Sequence, residues 1–393
     1  MEVETIKKEV GMSWKTIKLG DVATFVNGYA FKPGDWSETG LEIIRIQNLT
    51  KGSAETNYFE GSIPEKYKVV KGDILISWSA TLDIFVWEGS DAWLNQHIFK
   101  VVFDKVEINK NYFIYAIKNI LGEMRKQVHG ATMQHITKGK FDNLEIPLPP
   151  LTTQKRIAEI LDAADSLRRK DQELLKKYDE LAQVIFIDMF GDPVKNEKGW
   201  EVSALEDLCI DIVDCPHTTP NHTQEITDFP CIRTSEMKNR KISWGSMKYL
   251  NKEEYSKRVK RLIPEAGDIV YAREGTYGQA VLLPENYHFA LGQRTMLLRP
   301  NSNLVSNEFL WYQINSDFVY RQAKRKNMGS TVGHVNVADV KKFDILVPPV
   351  QLQLKFTNAI INLISAESLF ENQESDKLFD SLIQKAFNGE LVL

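Results

Sequence analysis

The sequence predicts an α+β protein: two duplicated α/β domains separated by two long helices, packed as an antiparallel coiled coil with pseudo-two-fold symmetry. Three observations predict it. Five strings recur in the same order in the two halves of the 393-residue chain. Each copy closes on a Pro-Pro pair, Pro149-Pro150 and Pro348-Pro349. Behind each pair runs a segment free of proline and glycine with apolar residues at helical spacing.

The duplication is read from the strings themselves. Trp14-Lys15-Thr16-Ile17-Lys18-Leu19-Gly20-Asp21 is answered by Trp200-Glu201-Val202-Ser203-Ala204-Leu205-Glu206-Asp207. IIRIQN (Ile43–Asn48) is answered by CIRTSE (Cys231–Glu236), which sets Arg45 opposite Arg233. VVKGDILIS from Val69 matches PEAGDIVYA from Pro264, and WLNQHIFKVVF from Trp93 matches ALGQRTMLLRP from Ala290. The fifth match has no gap: His129–Pro150 lies over Met328–Pro349. This period is far too long for a solenoid repeat, so the units are domain-sized.

Residues 1–150 form the first domain and 193–349 the second. Each carries short β-like runs such as Asp73–Ser77 and Asp268–Tyr271, bounded by turn formers, then a helical stretch, Tyr112–Asn119 or Glu308–Ser316. Proline has no amide hydrogen and forces its predecessor extended, so each Pro-Pro pair ends the globular part. Residues 151–192 are the central spacer, helical from Thr152 to about Phe190 and stopped by Gly191-Asp192-Pro193. Its expected seam is Ile160, Leu167, Leu174 and Leu181, with Ile157, Ala164, Tyr178 and Ile185 in the row beside it. Residues 350–393 repeat the pattern from Gln351 to Asn388, with seam residues Phe356, Ile360, Leu363, Phe370, Leu378 and Leu382. Such a helix spans roughly 55 Å. Each stripe is too narrow to be stable alone, and packing the two helices antiparallel buries both.

Composition bounds the function. Hydrophobic residues are 43% and charged residues 26%, enough for a packed core. No apolar run is long enough for a membrane span and the charged opening lacks an apolar signal core, so a cytoplasmic chain is expected. Three cysteines without a CxxC pair agree with a reducing compartment. Phosphate loops, nucleophile elbows, H-E-x-x-H and dinucleotide fingerprints are missing, as is the [NDS]-P-P-[YF] loop of an adenine methyltransferase. Asp228, Glu236 and Lys238 imitate nuclease spacing, but the first copy has Gln47 and Asn48 in that loop. Cys209, Cys215, His217, His222 and Cys231 lack the paired spacing of zinc ligands and have no counterparts in the first copy. No catalytic residue and no metal ligand is expected.

The net charge of −4 hides segregation. Arg233–Arg261 carries ten Lys/Arg against three acids, Arg321–Lys342 six against one, and Lys118–Lys140 five against one. A single basic run is usually a solvated face, but runs at equivalent places in duplicated domains favour phosphate neutralisation. Within them lie Gly130, Thr132, Gln134, His135 and Lys138 in the first copy, and Lys326, Gly329, Ser330, Thr331, His334 and Asn336 in the second. Glycine admits a phosphate to the backbone, hydroxyls bond its oxygens, and amides or arginines read base edges. Helix-cap turns are the plainer reading of the same residues.

These features together resemble one family. A Trp-x-x-x-x-Leu-x-Asp opening, a Gly-Asp-Ile-[Leu/Val] strand, a Gly-[Ala/Ser]-Thr loop and a Pro-Pro stop occur twice. The first helix opens Leu151-Thr152-Thr153-Gln154-Lys155-Arg156-Ile157, like Leu-x-x-Gln-x-x-Ile, while the second departs with Phe356 in place of isoleucine. From Trp14 to Gly389 the chain looks like the DNA-specificity subunit of a Type I restriction–modification system.

The resemblance implies two target-recognition domains, each reading one half of a split, asymmetric site in double-stranded DNA, with the helices fixing the spacing and docking two methyltransferase subunits. It implies restriction subunits that act as motor and nuclease. S-adenosylmethionine, ATP and Mg would sit on those partners and none in this chain. It also turns the loops Ser77, Ser79, Thr81 and Arg273, Thr276, Tyr277 toward DNA, together with Arg45 and Arg233. Three alternatives remain: the specificity chain of another restriction class with a fused methyltransferase–nuclease partner, a stand-alone nuclease or methyltransferase, and a coiled-coil dimer that binds proteins.

Overall fold

The computed structural model describes residues 14–50, 55–79, 81–127, 137–326, 333–371 and 374–391; the side chains of 123, 125–127 and 364–371 are outside that description. The chain forms two compact units, Met1–Glu173 with Asn372–Leu393, and Leu174–Glu371. Both units mix helix and strand, as expected of an α+β chain.

The first unit holds β1 (Thr16–Lys18), β2 (Thr24–Asn27), β3 (Leu41–Ile44), β4 (Asn57–Phe59), β5 (Lys68–Val69), β6 (Ile74–Ser77), β7 (Asp83–Val86), β8 (Ala92–Leu94), β9 (Ile98–Val102) and β10 (Glu145–Pro147). Its sheets run β2-β9-β6-β7 and β4-β3-β8-β5, with β3 and β8 parallel. The repeated tryptophan string becomes β1, closed against β10 with Ile17 opposite Ile146. All four residues of β6 are buried, which is why that string reads as an unbroken apolar run.

The second unit repeats this plan with β11 (Glu201–Ala204), β12 (Cys209–Asp214), β13 (Pro230–Ile232), β14 (Met237–Lys238), β15 (Lys241–Ile242), β16 (Lys248–Tyr249), β17 (Ile269–Ala272), β18 (Ala280–Leu282), β19 (Ala290–Leu291), β20 (Thr295–Pro300) and β21 (Asp344–Val347). The order β12-β20-β17-β18 matches the first four-stranded sheet. Again β13 and β19 are parallel, and β11 closes on β21.

The Gly-Asp strings now have a cause. Gly72 (φ 88°) and Gly267 (φ 85°) make left-handed turns that a side chain would strain. Asp73 and Asp268 then accept the amides of Val70 and Glu265, each at 2.9 Å. Both carboxylates bind a cation on the neighbouring strand, Lys100 at 2.8 Å and Arg299 at 2.8 Å. The same cations donate to Lys68 O and Ile263 O.

Each domain helix starts on a capping side chain. Asn109 Oδ1 accepts the Tyr112 amide before Lys110–Gln127, and Ser306 Oγ accepts the Phe309 amide before Asn307–Ile314. Behind the Pro-Pro stops run the long helices Leu151–Phe190, Val350–Glu371 and Glu374–Phe387.

Compactness divides the chain differently from the boundaries at 150, 192 and 349, because each long helix buries a face in the core beside it. In the first unit Ile157, Ala158, Leu161 and Ala164 join one core with Phe379, Ile383, Ala386 and Phe387. In the second, Ala182, Phe186 and Phe190 join Phe356 and Ile360. Phe190 meets Phe356 at 5.5 Å between centroids, while Tyr178 and Ala182 line a cavity with Ile360 and Leu363, so these segments run antiparallel.

The expected seam needs one correction. Leu167, Leu181 and Leu378 are 47%, 44% and 46% exposed, so they lie off the contact. Ile160, Leu174, Tyr178, Ile185, Leu363 and Leu382 are half-buried, and the Phe370 side chain lies outside the described residues. The row one residue on, Leu161, Arg168, Leu175 and Ala182, faces inward more than 160, 167, 174 and 181 do: Leu161 and Ala182 are buried, Arg168 and Leu175 half-buried, and none of the four is exposed. Two members of that row disguise it: Arg168 lays its guanidinium over the Phe379 ring at 4.5 Å, and Ala182 is small. Phe379, fully inside, was missed beside the showier Leu378.

Candidate nucleic-acid interface

In each unit three connections are brought together by backbone bonds that the duplication repeats. They are the loop after β2 or β12, the hairpin end of β6–β7 or β17–β18, and the turn from β8 to β9 or β19 to β20. The Trp78 amide donates to His97 O at 3.1 Å, and the Arg273 amide donates to Arg294 O at 2.9 Å. Gly28 N donates to Ile98 O at 3.0 Å, and Cys215 N to Thr295 O at 3.2 Å.

Where the backbones agree the side chains differ. In the first unit Trp78 Nε1 donates to Asn27 Oδ1 at 3.0 Å, a neutral pair. At the matching positions of the second unit Arg273 Nη2 binds Asp214 Oδ1 at 2.8 Å, an ion pair with side chains 6% and 18% exposed. The sequence expectation for Arg273 is therefore corrected: it is too buried to meet DNA and instead anchors the loop that it opens. Ser77 is corrected on the same ground, being fully buried with its Oγ bonded to Thr81 O and accepting the Asp83 amide at 3.2 Å. Thr81 is exposed and Ser79 half-buried at that hairpin end.

The second unit gathers most of the expected residues on one loop cluster. Val335 N donates to Arg273 O at 2.9 Å and Gly275 N to Gly333 O at 3.2 Å, which ties the 333–336 segment to the hairpin. Glu274 pairs with His334 Nδ1 at 3.1 Å and with Arg294 Nε at 3.1 Å, and His334 Nε2 meets Asn336 Oδ1 at 3.1 Å. Thr276 Oγ1 reaches Thr234 O at 3.4 Å, beside Arg233. Tyr277 stacks on Tyr320 at 5.7 Å, and the hydrogen bond between them, then burial, pushes the Tyr320 hydroxyl up.

Arg233 itself is held: its Nε binds Glu236 at 2.9 Å, and Glu236 also accepts the Arg233 amide. Arg45 holds a similar turn, its amide donating to Asn48 Oδ1, with its guanidinium over the Trp36 ring at 5.6 Å. Lys138 pairs with Asp142, and Lys326 is exposed beside Asp339 at 3.6 Å. Gly130, Thr132, Gln134, His135, Gly329, Ser330 and Thr331 lie outside the described residues.

Residues that sequence reasoning passed over complete the cluster. Arg258 is buried and donates to Leu291 O, Thr218 O and Pro216 O at 2.9, 3.0 and 3.2 Å, clamping the loop that presents His217. Gln293 Nε2 donates to His217 O at 2.8 Å. The only signal was the repeated Gln in Gln96-His97 and Gln293-Arg294. The basic run Arg233–Arg261 is thus partly structural, since Arg233, Arg240 (paired with Asp179), Lys257 (with Glu253) and Arg258 are engaged, while Lys238, Lys248, Lys252 and Lys260 remain exposed.

A family model described as "Type I restriction modification DNA specificity domain" matches this chain twice, at residues 12–177 and 197–378. The chain belongs to that family. Its relatives include the Type I restriction enzyme EcoBI specificity subunit of Escherichia coli, 24% identical over 96% of this chain and 86% of the relative. The MjaVIII specificity subunit of Methanocaldococcus jannaschii is 23% identical over 93% and 88%. A crystal structure of a Type I restriction-modification S subunit from M. genitalium covers 96% of both chains at TM-score 0.59 and 14% identity, a likeness of fold.

In this specificity chain Cys209 is half-buried and Cys215 and Cys231 are buried, and burial pushes the Cys209 and Cys231 thiols up to about 12. Burial, then Arg233, holds His222 below the usual imidazole range. Among the described residues no group of three or more His, Cys, Asp or Glu is arranged for a metal ion, and no helix is long and apolar enough to cross a membrane.

Proposed function

We propose that each unit reads one half of a bipartite, asymmetric site in double-stranded DNA, and that the long helices set the spacing between halves and dock two methyltransferase subunits. Half-sites about one helical turn apart, roughly 34 Å, present the same side of the duplex. The chain supplies recognition and no chemistry. S-adenosylmethionine is held by the modification partners, ATP and Mg by restriction subunits with motor and nuclease activity, and the complex works in the cytoplasm.

One observation carries this reading: the two units hold the same three loops by the same backbone bonds but fill them with different side chains, Trp78 and Asn27 against Arg273 and Asp214. A constant frame with variable side chains suits two heads that read different words. The test is to co-express the chain with its genomic neighbours and map methylated adenines by single-molecule sequencing. A split motif with two unlike halves is expected. Methyl transfer from labelled S-adenosylmethionine by the purified chain alone would overturn the non-catalytic assignment.

A further inference from the structure

We propose that His97 in the first unit and Arg294 in the second are specificity-determining residues, presented by one shared turn. The inference rests on the DNA-reading function above and names the side chains that do the reading. Both residues follow a glutamine, Gln96 or Gln293, in the turn from β8 to β9 or from β19 to β20, which carries the chain from one sheet of its unit into another. Both are non-glycine residues in the left-handed region, at φ 74° and 70°. L side chains are strained there and glycine is not, so keeping a large side chain at this point in both copies calls for a use of that side chain.

The backbone of the turn is fixed by what it holds. His97 O and Arg294 O accept the amides of Trp78 and Arg273, so the Cα–Cβ direction is set in the same way in both units. The side chains diverge from that point. His97 is exposed and meets the Trp78 ring edge-on at 4.8 Å. Arg294, 60% exposed, is braced by Glu274 at 3.1 Å, and Glu274 also binds His334.

That brace decides between two uses of a surface arginine. A carboxylate beside the guanidinium repels phosphate oxygens and orients the fork, which suits a base edge better than the DNA backbone. The guanidinium fork matches O6 and N7 of guanine in the major groove. The His97 imidazole offers one donor and one acceptor, a different pattern at the same position of the other head.

The test uses the full chain co-expressed with its modification partners, comparing the methylated motif of the parent with those of Arg294→Gly, Arg294→Lys and His97→Ala. Arg294→Gly also removes backbone strain, so it keeps the fold. Both Arg294 variants should relax one base position in one half of the motif by roughly 5- to 150-fold and leave the other half unchanged. His97→Ala should do the reverse. Salt dependence of binding to the parent motif should keep its slope. Unchanged motifs in all three variants would overturn the proposal. So would a uniform loss of binding with the salt slope reduced by about one, the mark of a phosphate contact. A parent complex with no split motif would instead sink the DNA-reading function, and this inference with it.

Discussion

Gln154 Oε1 accepts the backbone amide of Asn109 at 2.9 Å, while its Nε2 donates to Pro149 O at 2.8 Å. The second unit repeats the bond: Gln353 Oε1 accepts the Ser306 amide at 2.9 Å, and Nε2 donates to Pro348 O at 2.8 Å. Each glutamine is buried, and each ties a Pro-Pro stop to the residue that caps the domain helix. The glutamine of the helix opening is therefore a joint between long helix and domain. Replacing Gln154 or Gln353 by leucine strands a buried amide and a carbonyl, at about 1–3 kcal/mol for each group left unpaired. Urea unfolding should record a lowered midpoint for either variant.

Arg273→Ala should cost more, roughly 3–5 kcal/mol, because it leaves Asp214 largely buried without its cation. The pair Trp78–Asn27 occupies the same place in the first unit, so the double variant Arg273→Trp with Asp214→Asn should recover much of that loss. Stability of the single and double variants by denaturant titration checks both expectations.

The corrected helix face makes a contrast. Ile157 is 1% exposed and Leu167 is 47% exposed. Ile157→Ala should destabilise by about 2–5 kcal/mol and Leu167→Ala by no more than about 0.5. Equal effects in thermal unfolding would return Leu167 to the seam.

Asp165 links stability to pH. Burial alone would raise its carboxyl, but Lys118, Arg169 and Arg168 outweigh it and hold it below the usual range. A lowered folded value means stability that is present above the unfolded value, about 3.9, and lost as pH falls through the folded one. Asp165→Asn should be less stable at neutral pH and should lose stability less steeply than the parent below about pH 4, as read by unfolding midpoints across an acid series.

The duplication was the legible part, because each repeated string performs a repeated physical job. Gly72-Asp73 and Gly267-Asp268 make the same turn and hold the same cation, so both residues recur. The helices were legible from missing proline and glycine, but their facing row was not. Arg168 and Ala182 do not read as seam residues until Phe379 and Phe356 are seen against that face. The site was legible only as loops. Sequence put Ser77 and Arg273 among DNA contacts because a serine or arginine at a strand end carries no sign of burial. The turn residues His97 and Arg294 hid in an alignment that registered their glutamine neighbours, since a left-handed backbone angle leaves no trace in a non-glycine residue.

Exchanging residues 14–150 for the first domain of another family member, in the chain co-expressed with its own partners, tests the whole account most directly. The methylated motif should change in one half alone, with the other half and the gap between them kept. A motif altered in both halves, or in neither, would contradict the claim that the two units read separately along a common spacer.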